Sequence, residues 1–226
     1  MSEDLPAPEA DRVSKAVPTG DEILVLGAGT RIVRIHPLGD KHPSAWNALR
    51  DFGPTRSRFD HHLPPPRSQE RKIAYLAHGD NRMTGAVAEF FQDGTGAGVR
   101  PLDLVAGDPQ MTSFELARPI RLLDLDTGWI TRAKGNQAVR SGRRSRSREW
   151  ARAIYDHYGD KVSGLAFGSS VWGPGRNIAL WESGAPALPD HPSASRPLRD
   201  PALRIPLSHI ARDLATTIVD RAGRFL

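Results

Sequence analysis

The stretch from Lys72 to Asp93, KIAYLAHGDNRMTGAVAEFFQD, constrains the fold more than any other in the chain. A short apolar run, Ile73 to Ala77, ends in the turn-forming Gly79-Asp80-Asn81. Met83, Ala86, Val87, Phe90 and Phe91 then recur at i, i+3, i+4, i+7 and i+8, which predicts one apolar helix face. Asp80 or Asn81 fits the N-cap. The stretch therefore predicts a strand, a tight turn and a helix. Two of its side chains bear on chemistry: Tyr75 in the strand and Glu89 on the helix. Glu89 falls off the apolar stripe, on the flank shared with Arg82 and Gly85, where a glutamate is ordinarily solvated. Gly85, one turn earlier, costs about 1 kcal/mol of helix propensity relative to Ala, and a helix accepts that cost where something approaches its backbone.

Chain length and composition bound the rest. With 226 residues, 38% of them hydrophobic, the chain supports one well-buried core. We expect a lead-in over 1–20, flexible because it is rich in Pro, Asp and Glu, and one domain over 21–226. The 19 prolines and 21 glycines predict short elements and many loops. The absence of cysteine excludes disulfides and thiolate metal sites and agrees with a cytoplasmic location. The acidic start carries no hydrophobic segment of a signal peptide, and Ile23–Leu26 is too short to span a bilayer. The formal charge of +5 is local in origin: seven basic residues and no acid lie between Arg132 and Arg148. That run reads as a mobile, solvated loop leading into a helix, able to attract a polyanion. It lacks the interleaved aromatics of a base-stacking surface, so nucleic acid ranks behind small anions as a partner.

Elsewhere the pattern alternates between short strands and a few helices. ILVLGAGTRIVRIHP reads as two strands joined by a glycine turn. A dinucleotide fingerprint is rejected because the third glycine is missing and Arg31–Ile35 alternates like a strand. His36–Pro66 is loop-rich. Its Asp60-His61-His62 cluster lacks metal-ligand spacing. Gly94–Gly98 reads as a glycine-rich loop, Thr112–Asp126 as strands, Ser145–Tyr158 as a helix, Gly164–Ser169 and Asn177–Trp181 as strands, and Pro186–Pro201 as a connection. A last helix is expected from about Ser208, with Ile210, Ala211, Leu214, Ile218 and Val219 on one side. Without βαβ regularity, this mixture predicts an α+β domain.

Three separated segments are similar to the RES domain family, named for an arginine, a glutamate and a serine. GPTRSRF supplies the arginine as Arg58, with Arg56 a near alternative. YLA and AVAE supply Tyr75 and Glu89. GLAFGS supplies Ser169, next to Ser170, and GPGRN continues to Asn177. Upstream, AGTRIVRIHP resembles the family's opening strand and offers Arg34; LLDLD, Leu122 to Asp126, resembles another. The likeness spans about Gly27 to Trp181. It implies a fold like that of ADP-ribosyltransferase toxins and an enzyme that consumes NAD, splitting nicotinamide from ADP-ribose by hydrolysis or phosphorolysis. Many members are toxins neutralised by an Xre-type antitoxin, so such an antitoxin is the implied partner; a homo-oligomer stays open.

Under that resemblance the residue types acquire roles. Glu89 stabilises an oxocarbenium-like sugar. Arg58, counted with Glu89 and Ser169 among the catalytic residues, binds the cofactor's phosphates through charge-assisted hydrogen bonds, and Arg34 is a further cofactor-binding residue. Tyr75 stacks on the cationic nicotinamide. Ser169 and Asn177 bind the cofactor's polar groups. No metal is required, because the leaving group is already a cationic pyridinium. Transfer of ADP-ribose to a macromolecule is the alternative outcome.

Overall fold

The computed structural model describes residues 4–39, 43–93 and 98–219. In chain order it contains α1 (Ala10–Lys15), β1 (Ile23–Leu26), β2 (Arg31–Pro37), β3 (Arg50–Gly53), β4 (Arg67–His78) and α2 (Arg82–Phe90). There follow β5 (Leu102–Asp103), β6 (Pro109–Glu115), β7 (Ile120–Asp124), α3 (Trp129–Arg132), α4 (Ala138–Ser141) and α5 (Arg144–Tyr158). The chain closes with β8 (Gly164–Gly168), β9 (Arg176–Trp181), β10 (Ala194–Pro197), α6 (Arg204–Asp213) and β11 (Ile218–Val219). The arrangement is α+β, as expected. Among the described residues, no helix is long and apolar enough to cross a membrane.

One mixed sheet organises the molecule, in the order β1-β7-β8-β9-β4-β2-β6-β10, with β3 also paired to β4. Only β7 and β8 run parallel in it; its other pairs are antiparallel. Alternation along the central strands serves two faces. Ile73 and Tyr75 of β4, with Ala179 and Trp181 of β9, turn to a core built on Trp129, Trp150 and Tyr158 of α3 and α5. Ala74, Leu76, Ile178 and Leu180 turn to the opposite core, with Ile32, Phe114 and Leu122. A third cluster seats α2 and α6 on the sheet through Val33, Ala77, Val87, Phe91, Leu207 and Ile210. In β8, Gly164 lies so close to β9 that a Cβ would meet the Ala179 carbonyl at 2.2 Å.

Four segments depart from expectation. One is Pro186–Pro201, expected as a connection, which carries β10 paired to β6. The lead-in docks from its first described residues: Leu5, Val13 and Ala16 are buried in the α3–α5 core. The carbonyls of Pro6, Ala16 and Val13 accept from Trp150 Nε1 (2.8 Å), Trp129 Nε1 (2.6 Å) and the Tyr158 hydroxyl (2.6 Å). Burying two tryptophan N–H groups and a phenol requires such acceptors, and this segment provides them. The basic stretch is not a solvated loop either. It carries the end of α3, all of α4 and the start of α5, with Arg132 paired to Glu22, Arg140 to Asp126 at 2.9 Å, and Arg146 to Glu149. The last helix starts at Arg204, with Pro206 in its first turn where no intrahelical donor is lost. It stops at Asp213; Ala215 has φ 49°, and Ile218–Val219 pairs as a strand with β5. Of the expected glycine-rich loop, 94–97 lies outside the described residues.

Candidate active site

β2 and β4 pair only at Ile32–His78 and Val33–Ala77. Beyond those positions they part, and the free edge of β4 is taken up again by β3 at Ile73, Ser68 and Arg67. A cleft of about 620 Å³ opens along the divergence, within the usual size of small-molecule sites. Val33–Pro37 lines one side and Ile73–Ala77 the other, with Ser44, Arg50, Thr55–Arg58, Ala86, Glu89, Phe90, Gln92, Arg144, Phe167 and Asn177 completing the walls.

α2 carries Glu89 into this cleft. Asn81 occupies the N-cap position without a side-chain capping bond. The Ser169 hydroxyl donates to Glu89 Oε1 at 2.7 Å, and Asn177 Nδ2 donates to the same oxygen at 3.2 Å. Ser169 Oγ also accepts from the backbone of Val171 (3.3 Å) and Trp172 (3.2 Å), so the turn after β8 orients it. Burial raises the Glu89 pKa above the ordinary glutamate value; the Ser169 hydrogen bond and the charges of Arg58 and Arg144 act against that rise. Gly85 faces the Trp172–Gly175 turn: a Cβ there would stand 3.5 Å from Gly175 Cα, an ordinary contact. The missing side chain thus accompanies close packing of the loop that presents Asn177.

Arginines dominate the remaining polar wall. Arg58 Nη1 donates to the Gly142 carbonyl at 2.7 Å and to Ser147 Oγ at 3.3 Å, fastening the cleft wall to the start of α5. Burial and the nearby Arg144 charge lower its pKa to about 10, with Glu89 opposing. Arg34 is buried, and burial lowers its pKa to about 10 as well. Its Nη1 donates to the carbonyls of Trp46 and Ala48, each at 2.7 Å, and Nη2 donates to Ser44 Oγ at 3.2 Å. Arg34 therefore borders the cleft while pinning the 44–48 segment. Arg56 also lines the cleft but is exposed. Arg144 Nη2 donates to Gln92 Oε1 at 2.8 Å, and Gln92 Nε2 donates to Ser170 Oγ at 3.0 Å. Among the described residues, none of Arg34, Arg56, Arg58 and Arg144 has a carboxylate within ion-pair distance, whereas Arg50, which also lines the cleft, and Arg140 and Arg176, outside its lining, are paired with aspartates.

Tyr75 lines the cleft, and its hydroxyl is buried without a hydrogen-bond partner among the described residues. Burial and the Asp60 carboxylate push the phenol pKa up; Ser57 stands nearby, outside hydrogen-bonding geometry. Asp60, fully buried, is the hub of the wall that bears Arg58. It accepts from Arg50 Nη2 (2.9 Å), Thr55 N (2.6 Å), Thr55 Oγ1 (2.8 Å) and the His62 ring. The Asp60-His61-His62 run thus serves to brace the Thr55–Arg58 loop. Burial alone would raise the Asp60 pKa, but these donors and the Arg50 charge hold it well below the ordinary aspartate value.

The structure brings five expected residues, Arg34, Arg58, Tyr75, Glu89 and Asn177, to one cleft. Ser169 stands behind Glu89, its hydroxyl donated to that carboxylate. Of the two adjacent serines, Ser169 contacts Glu89 and Ser170 contacts Gln92. Sequence reading missed Gln92 and Arg144. Gln92 lies two residues past the end of α2, in an isolated bridge to Val99, so helical spacing from Glu89 gave no signal for it. Arg144 reaches the site only through the packing of α5, and no local pattern marks it within the basic run.

No family model matches the chain, and no curated protein matches it. A chain of the crystal structure of the Mycobacterium tuberculosis MbcT–MbcA toxin–antitoxin complex has a similar fold, with a TM-score of 0.56 and 15% identity over 88% of this chain and 96% of that one. At that identity the likeness is one of fold.

Proposed function

We propose that the protein is an NAD-consuming enzyme that breaks the nicotinamide–ribose bond. The observation that carries the reading is the placement of Glu89: a largely buried carboxylate in a cleft where, among the described residues, Arg34, Arg56, Arg58 and Arg144 have no carboxylate within ion-pair distance and only Arg50 is paired, to Asp60. Such a cleft suits a ligand with an anionic middle and a cationic end. The arginines supply charge-assisted donors for the dinucleotide's phosphates. The Tyr75 ring provides a face for the cationic nicotinamide. As the C–N bond breaks, its electron pair leaves with nicotinamide, which becomes neutral, and positive charge builds on the ribose. Glu89, already oriented by Ser169 and Asn177, stabilises that charge without reorganising. The oxygen of water or phosphate then bonds to the anomeric carbon, and the incoming group's proton passes to solvent. No step calls for a metal ion.

The motif order similar to the RES family, together with a fold similar to a chain of a toxin–antitoxin complex, supports a growth-inhibiting toxin of ADP-ribosyltransferase-like architecture. The corresponding partner is an antitoxin, Xre-type on the motif resemblance, and the site of action is the cytoplasm. Incubating the pure protein with NAD, with and without phosphate, tests the activity. Release of nicotinamide with ADP-ribose or its 1-phosphate supports it, and label retained on macromolecules points to transfer. Intact NAD under both conditions contradicts it.

A further inference from the structure

Arg58 and Arg144 are far apart in the sequence and both line the cleft. Arg58 arrives on the loop braced by Asp60, and Arg144 on the first turn of α5. Both line the cavity together with Glu89. Among the described residues, their hydrogen bonds are to neutral acceptors: a carbonyl and a serine hydroxyl for Arg58, and the Gln92 amide for Arg144. Two like charges this close repel, and each lowers the folding benefit of the other. Elsewhere near the cleft that cost is met by aspartates, as at Arg140 and Arg176. Here, among the described residues, no carboxylate lies within ion-pair distance of either guanidinium. Glu89 acts on both through space only. The Gln92 amide fixes the Arg144 fork from one side and is itself fixed by Ser170, so the side chain is held in place.

We propose that Arg144 is a substrate-binding residue that pairs with Arg58 to hold one phosphate group beside Glu89. A phosphate carries the charge that both guanidiniums lack, and two arginine forks present more donors to its oxygens than one. The phosphate has two sources under the reading above: the dinucleotide itself, or free inorganic phosphate acting as the acceptor. The inference rests on that reading for the source, while the binding of phosphate stands independently of turnover.

The test uses the full chain and three variants: Arg144→Gln, Arg144→Lys, and, as a control, Arg143→Gln, whose side chain is 80% exposed. Each is titrated with inorganic phosphate and separately with ADP-ribose, and binding is read by calorimetry and by the rise in melting temperature. Wild type and the Arg143 variant should respond alike. Arg144→Gln should weaken binding by about tenfold or more, the loss expected for a charge-assisted hydrogen bond. Loss confined to inorganic phosphate supports the proposal with the acceptor as source, and loss of ADP-ribose binding supports it with the dinucleotide as source. Arg144→Lys keeps the charge without the fork, should lose less, and decides the matter if the glutamine variant does not fold. Unchanged affinity for both probes overturns the proposal. So does an equal loss in the Arg143 variant, or a wild type that binds neither probe. NAD consumption, measured on the same preparations, reports separately on the proposed reaction.

Discussion

The Ser169 hydroxyl donates to Glu89 Oε1 at 2.7 Å, joining the end of β8 to the last turn of α2 across 80 residues of chain. This bond orients the carboxylate and opposes the effect of its burial. Removing it with Ser169→Ala should push the Glu89 pKa further up. The same direction follows for Arg58→Gln, which removes a favourable charge.

A pH profile tests both. In the proposed reaction the working form of Glu89 is the carboxylate, so turnover should fall as pH drops through a pKa above 4.5, the ordinary value for this group. In either variant that limb should move to higher pH. The sign for stability is opposite: a raised folded-state pKa favours the protonated carboxyl in the fold. Its contribution is present below the unfolded pKa and is lost as pH rises through the folded one. A limb unmoved in both variants would mean that another group sets it.

Asp60 makes a converse prediction. Its pKa is depressed, so its contribution is present above the ordinary aspartate value and lost as pH falls through the folded one. Glu182, hydrogen-bonded by Lys72 N and Tyr155 and held at about 2 against the cost of burial, adds stability that is lost between about 4.5 and 2. Asp60→Asn leaves Arg50 without its carboxylate and should cost about 3 kcal/mol. It should also reduce the acid dependence of the melting temperature. Denaturant unfolding at neutral and acid pH measures both effects.

The docked N-terminal segment gives a third prediction. Val13 is fully buried, and Val13→Ala should cost about 2 kcal/mol. Deleting residues 1–16 should cost more, because Trp129, Trp150 and Tyr158 lose their acceptors. Chemical denaturation of the two proteins checks this. A truncated chain as stable as the full one would show that the segment is the passive lead-in its composition implies.

How far the sequence could be read depended on where each signal resides. The unit around Tyr75 and Glu89 was legible because strand and helix periods lie side by side with a glycine turn between them. Its outer half, Arg67–Lys72, was not read, because Arg67, Ser68 and Lys72 are exposed and carry no apolar alternation. The N-terminal segment was misread because Pro and acidic residues dominate its composition while Leu5 and Val13 do the burying. The cleft itself was invisible: it arises from two strands that part after one short pairing, a tertiary event. Motif order located Arg58, Glu89 and Ser169, but not that Ser169 acts on Glu89. It also gave no sign that Arg144, distant in sequence, completes the wall.

Glu89→Gln is the most direct test of the proposed chemistry. The substitution keeps an oxygen to accept from Ser169 and Asn177 and removes only the charge. Since burial penalises that charge, the variant should melt at or slightly above the wild-type temperature at neutral pH. NAD binding should change little, because the developing cation exists only in the transition state. NAD turnover should fall by a factor on the order of 10² to 10³. A folded Glu89→Gln protein that consumes NAD at the wild-type rate would contradict the central claim.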